Sequence, residues 1–144
     1  MFLGQYHHTI DNKGRLTIPA RFRDLLLDGA YILRGFDQNL MVLTDQAFER
    51  FSKRLGERSI TELKARQFMR FIYGNIVQVE VDKAGRILIP QFLRQSAGLD
   101  SDVMVVGMGE FFEIWMPDKW SQQSVEMDAE DIAQRFSEFE LPTG

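Results

Sequence analysis

Asp11 and Arg15 are spaced to face one another across a tight turn, and Asp82 and Arg86 repeat that spacing 71 positions later. A guanidinium at a rigid hairpin tip can donate two parallel hydrogen bonds to guanine or to a phosphate. A neighbouring carboxylate can hold it extended beforehand. Lys13 and Lys83 add phosphate reach at the loop apices. Arg21 and Arg23 follow the first tip, whereas Arg94 follows the second. The candidate DNA-binding residues are therefore Lys13, Arg15, Arg21, Arg23, Lys83 and Arg86, with Asp11, Gly14, Asp82 and Gly85 pinning the turns. The plainer reading is a cross-strand ion pair worth about 0.2–1 kcal/mol. It serves well for the aspartates; for the arginines the duplication favours binding.

The spacing belongs to a longer duplication. Asp11-Asn12-Lys13-Gly14-Arg15-Leu16-Thr17-Ile18-Pro19 returns as Asp82-Lys83-Ala84-Gly85-Arg86-Ile87-Leu88-Ile89-Pro90. Further on, Gly35 aligns with Gly107, Val42 with Ile114 and Phe48 with Trp120. Gln5 to Ile10 reads as a strand entering a three-residue loop whose last position wants a left-handed glycine. That register opposes Asp11 to Arg15, Ile10 to Leu16 and Thr9 to Thr17. The second copy likewise opposes Asp82 to Arg86, Val81 to Ile87 and Val79 to Ile89. Leu88 is an apolar residue on the charged face and marks a packed interface there.

Pro19 and Pro90 suit the first position of short helices, expected over Ala20 to Leu27 and Gln91 to Ala97. Each copy closes with a second hairpin, Tyr31–Arg34 with Leu40–Thr44, then Val103–Val106 with Phe111–Trp115. Between the copies a helix is expected over Asp45–Leu55. A second is expected to open on a Ser59/Glu62 capping box and run to about Tyr73. Pro117 starts another helix and Asp128 caps a last one bearing Ile132, Phe136 and Phe139. The chain thus divides into a first repeat (5–47), a helical insert (48–75), a second repeat (76–119) and a helical tail (120–144). One copy has too few strands to bury both faces, so the expected fold is mainly β with flanking helices (α+β), a single pseudo-twofold β-barrel from both repeats. The aromatic surface of the flanking helices suggests contacts between subunits.

Net charge is −4, but it is unevenly placed. Residues 1–73 carry 12 Lys and Arg against 8 Asp and Glu, and residues 74–144 carry 5 against 13. That polarity offers one face to an anionic partner, though a solvated acidic tail explains part of it. The absence of cysteine excludes disulfides and thiolate metal sites. No apolar run reaches transmembrane length, and the N-terminus lacks a signal-peptide layout. His7 and His8 are strand neighbours pointing to opposite faces, unsuited to one ion. Asp100 and Asp102 read as loop polarity, and Lys64, Arg66 and Arg70 as a solvated helical face. No nucleophile–base pair, phosphate-cradling loop or zinc pattern is present, so neither a catalytic site, a metal site nor a cofactor is expected.

The tip phrase followed by Ile-Pro resembles the swapped-hairpin AbrB-like superfamily of bacterial DNA-binding proteins. The opening Met1-Phe2-Leu3-Gly4 together with both tip phrases resembles the MraZ family, over essentially the whole chain. The resemblance implies a double-split, swapped-hairpin barrel built from two AbrB-like repeats. It implies a cytoplasmic, nucleoid-associated repressor of its own operon, the division and cell-wall gene cluster. Such a protein binds short direct repeats in double-stranded promoter DNA and assembles into closed homo-oligomeric rings. The family's Asp-x-x-x-Arg motif falls on Asp11 and Arg15, and on Asp82 and Arg86. An antitoxin-like module with a toxin partner is the main alternative. Two copies and an amphipathic final helix argue against it. A small β-barrel hydrolase lacks its catalytic constellation, and a purely structural oligomer leaves the tip arginines without a task.

Overall fold

A computed structural model of the protein describes residues 1–124 and 128–139; of the expected tail, residues 125–127 and 140–144 lie outside the described residues. The first repeat supplies β1 (Gln5–Thr9), β2 (Arg15–Thr17), α1 (Ala20–Arg23), β3 (Ala30–Arg34) and β4 (Leu40–Thr44). Helices α2 (Asp45–Gly56) and α3 (Leu63–Tyr73) follow. The second repeat supplies β5 (Val77–Val79), β6 (Arg86–Leu88), α4 (Gln91–Ser96), β7 (Asp102–Gly107) and β8 (Phe111–Trp115). Helices α5 (Pro117–Gln123) and α6 (Ala129–Arg135) end the described chain.

Six strands form one antiparallel sheet in the order β1-β7-β8-β4-β3-β5, and β2 pairs with β6 as a separate ribbon. Every strand at a sheet edge therefore bonds to the other repeat: β1 to β7, and β5 to β3. Exchanging the repeats reverses the strand order onto itself. In the ribbon Leu16 opposes Ile87, and in the sheet Met41 opposes Glu113. Both are pairs of equivalent positions, so a pseudo-twofold axis runs through them. The two repeats are interleaved and share one core.

That core lies between the sheet's inner face, the ribbon and the short helices. Leu16, Ile18, Ile87 and Ile89 come down from the ribbon, Phe22 and Leu93 from α1 and α4, and Ile32, Val42, Val105, Phe112 and Ile114 up from the sheet. A second, smaller core seats α2 and α3 on the outer face through Leu33, Leu43, Leu55 and Ile72. Tyr31 stacks on Phe48 there at 4.0 Å. On the other half of that face Trp120 of α5 meets Trp115 edge-on at 5.5 Å and donates to Gln5. The carboxylate of Glu113, buried at the axis, accepts the Trp115 indole N–H at 3.0 Å, as a buried polar group requires.

Several expectations change. The sheet does not close into a barrel: β1 and β5 each have one partner strand and remain edges. The hairpins pair only at their tips. Ile10 bridges Leu16, but Thr9 opposes Asp102 rather than Thr17, and Val79 opposes Ala30 rather than Ile89. The cause is competition: each strand gains more ladder and more core by crossing to the other repeat than by continuing its own hairpin. The Ser59 capping box does not form. Ser59 instead bonds Thr61, Arg66 holds the carbonyls of Ile60 and Thr61, and α3 starts at Leu63. Pro19 and Pro90 sit one position before their helices, at the caps, and α1 tightens into a 3₁₀ turn over Asp24–Leu26. Thr44 and Asp128 cap α2 and α6 through their side chains.

Candidate nucleic-acid interface

The tips are built alike. Asp11 N–H donates to the Arg15 carbonyl and Gly14 N–H to the Asp11 carbonyl, and Asp82, Arg86 and Gly85 repeat both bonds. Gly14 and Gly85 take φ of +84° and +79°, a conformation that glycine adopts without penalty. One Asp11 oxygen accepts the backbone N–H groups of Lys13 and Arg15; the other takes Arg15 Nε at 2.8 Å. Asp82 does the same for Ala84 and Arg86, with Arg86 Nε at 3.0 Å.

The ribbon then brings the two tips together. Arg15 opposes Leu88 and Thr17 opposes Arg86, while Leu16 and Ile87 point inward and are buried. Since side chains alternate across a strand, Arg15, Thr17, Arg86 and Leu88 share the outer face. Arg86 also reaches Asp11 at 3.8 Å, so the Asp11 carboxylate holds one arginine from each repeat. Sequence reasoning placed each Asp with its own Arg and had no signal for this cross-repeat contact. Leu88 is 53% exposed at the centre of that face, not packed.

The Asp11 carboxyl is lowered to about 2, first by the Arg15 backbone N–H, against some desolvation, and further by the Arg15 side chain and the Lys13 N–H. Asp82 is lowered for the equivalent reasons. Whatever stability these bonds give the tip is present above the ordinary carboxylate range and is lost as pH falls through the lowered value. The Asp11 side-chain carboxyl resonance is expected to titrate near 2 in an NMR pH series. A midpoint close to 3.8, the unperturbed value, contradicts the hydrogen-bonded tip.

Arg23 and Arg94 stand beneath the tips rather than on them. Arg23 Nε donates to the Ile18 carbonyl, and its guanidinium lies 2.6 Å from where a Cβ on Gly85 would sit. Arg94 Nε donates to the Ile89 carbonyl and lies 3.1 Å from the corresponding point on Gly14. Each arginine thus braces the other repeat's turn, and the missing Cβ leaves it room. The sequence named Arg23 as a contact and left Arg94 without a role; their equal spacing after Pro19 and Pro90 was the available signal. Arg94→Ala is expected to lower unfolding stability by about 1.5–3 kcal/mol, the range for a hydrogen bond from a charged group. Urea denaturation measures it, and an unchanged midpoint removes the bracing role. Lys13, Lys83 and Arg21 are exposed, and none makes a side-chain hydrogen bond or ion pair among the described residues.

His7 and His8 diverge as expected. His7 lies 3.4 Å from Asp102, while His8 is half-buried beside Thr17 and Arg23, with its pKa lowered chiefly by burial. Among the described residues no cluster of His, Asp or Glu is arranged to hold a metal ion, and no helix is long and apolar enough to cross a membrane.

Two interleaved repeats presenting paired arginines on a shared ribbon define a duplicated hairpin-tip protein. Sequence comparison gives the family: "MraZ protein, putative antitoxin-like" matches residues 1–71 and again residues 72–139. The chain belongs to the MraZ family. It is 42% identical over 140 residues to the transcriptional regulator MraZ of Roseiflexus sp. strain RS-1, covering 96% of this chain and 98% of that protein. With the transcriptional regulator MraZ of Ligilactobacillus salivarius strain UCC118 it shares 41% over 143 residues, 98% of this chain and 100% of that protein. A solution structure of PHS018 from Pyrococcus horikoshii covers 79% of this chain and 88% of its own at 17% identity and a TM-score of 0.33, too slight a likeness to argue from.

Proposed function

We propose that this protein is a DNA-binding transcriptional regulator that enters the major groove with the β2–β6 ribbon. The observation that carries the reading is the placement of Arg15 and Arg86, one from each repeat, on one outward face and oriented by Asp11 and Asp82. The major groove admits a two-stranded ribbon, and arginine reads guanine through paired hydrogen bonds there. Lys13, Lys83 and Arg21 supply phosphate contacts, which fix position without reading sequence, while Arg23, held beneath the tip by the Ile18 carbonyl, acts through the turn it braces. In this reading the interleaving of β1 and β5 with the other repeat's strands supports a swapped hairpin of the AbrB-like kind.

In this reading the protein represses its own operon, the division and cell-wall cluster, from the nucleoid of the cytoplasm. One ribbon makes few contacts, so a lone protomer binds weakly and loses affinity steeply with salt. A closed homo-oligomeric ring presents ribbons at regular spacing to short direct repeats, and linked contacts raise avidity by about 10²–10⁴. The acidic tail that follows β8 faces away from DNA. A titration against the duplex upstream of the protein's own gene, beside a scrambled duplex at two salt concentrations, tests this. Preference for the native duplex that weakens with salt supports it; equal weak binding to both reduces the protein to a nonspecific nucleoid component.

The family description favours one second reading, an antitoxin-like module. It requires a protein toxin partner, and co-purification of a small toxin with the intact chain would establish it.

A further inference from the structure

Leu88 takes no part in the contacts proposed above, yet it is 53% exposed on the ribbon's outer face. Arg15 lies directly across from it on β2, and Arg86 precedes it by two positions on the same face of β6. A lone exposed leucine is ordinary elsewhere on a protein surface, but this one sits between two oriented guanidinium groups. The fold does not call for it. Thr17 occupies the equivalent position of the first repeat, and it opposes Arg86 just as Leu88 opposes Arg15. Ile89 N–H donates to the Gly14 carbonyl, which fixes the Leu88 end of β6 against the first tip. The two ends of the ribbon therefore share an arginine and differ in its neighbour, a leucine at the first tip and a threonine at the second.

We propose that Leu88 determines part of the specificity by covering the C5-methyl group of a thymine next to the guanine that Arg15 reads. The proposal rests on the ribbon entering the major groove. Base edges there offer hydrogen-bond donors and acceptors and a single apolar group, the thymine methyl. A leucine side chain set against that methyl removes apolar surface of both from water. Set against any other base edge, it covers polar atoms that it cannot bond. Directly opposed residues stand about 5 Å apart and successive bases about 3.4 Å, so Arg15 and Leu88 reach adjacent base pairs. At the other end Arg86 has Thr17 beside it, whose hydroxyl donates or accepts and so discriminates less. The thymine contact thus exists at one end only. A ribbon with pseudo-twofold backbone pairing gains a direction, and the site it reads is non-palindromic.

Fluorescence anisotropy of the full chain tests this, with the duplex upstream of the protein's own gene and copies in which deoxyuridine replaces thymine one position at a time. That exchange keeps base pairing and removes only the C5-methyl. At the thymine beside the guanine of each site, the wild type is expected to bind about three- to fivefold more weakly, the factor for one buried carbon. Leu88→Ser is expected to weaken binding to the native duplex by a similar factor and to be indifferent to the same replacements. Since Leu88 is exposed, this variant is expected to melt and sediment as the wild type does. A wild type indifferent at every thymine overturns the proposal. So does a Leu88→Ser protein that loses as much as the wild type, because the methyl then acts through the shape of the duplex. A Leu88→Ser protein with an altered sedimentation coefficient makes the leucine a contact between copies and overturns it as well. In all three cases a wild type that prefers the native duplex to a scrambled one keeps the regulator reading; loss of that preference overturns both.

Discussion

Arg15→Ala is expected to remove most of the affinity for promoter DNA and to leave the fold and the assembly intact. Arg15 sits on the outer face of the ribbon, held at 2.8 Å by Asp11, and contributes nothing to the buried side where Leu16 lies. Loss of a paired contact to one base costs about 1–3 kcal/mol. In an assembly the loss repeats at every engaged ribbon, so the measured effect exceeds the single-site figure. Arg86→Ala is expected to act in the same direction more mildly. Its side chain faces two carboxylates, Asp82 at 3.0 Å and Asp11 at 3.8 Å, so more of its charge is already matched. Fluorescence anisotropy against the native duplex, with a melting curve alongside, checks both. If Arg15→Ala unfolds the chain or disperses the assembly while wild-type-like binding persists in the folded fraction, the arginine is a turn-pinning ion pair and not a reader.

Phe22→Ala is expected to be the most damaging single change to the fold. Phe22 is 1% exposed and meets three other aromatic rings: Phe2 edge-on at 5.0 Å, Tyr6 edge-on at 5.4 Å and Phe112 at 5.2 Å. Those rings come from the N-terminal segment, β1 and β8, so one side chain joins α1 of the first repeat to the sheet of the second. Truncating a buried phenylalanine costs about 3–5 kcal/mol through lost transfer energy and the cavity left behind. For a domain whose whole stability is about 5–15 kcal/mol, that is a large share. Urea unfolding is the measurement, and a loss below 1 kcal/mol, well short of that range, would show that the neighbouring rings refill the space.

The residues that form the tips were legible in the sequence because they act locally. An Asp, a left-handed Gly and an Arg within five positions specify their own turn. The helices α2 and α5 were legible for the same reason: Phe48, Phe51 and Leu55 recur at helical spacing, and Pro117 fits the first helical position. The pairing of strands was not. Alternation tells which face of β1 is apolar but not which strand lies beside it, and two equivalent repeats offer each strand two similar partners. The α3 start was misplaced because Arg66, from one turn further on, captured the carbonyls that a capping box would have drawn into the helix.

By itself the sequence determined that the chain is duplicated, that each copy carries an Asp-x-x-x-Arg turn, and that the family is MraZ. Those properties depend on residue identity and short-range geometry. Only the tertiary structure decided that the two turns share one ribbon, that Asp11 holds arginines from both copies, and that Arg23 and Arg94 brace each other's repeat. These depend on strands crossing between repeats to bury both faces of a sheet. That exchange is settled by the shared core and by no residue acting alone.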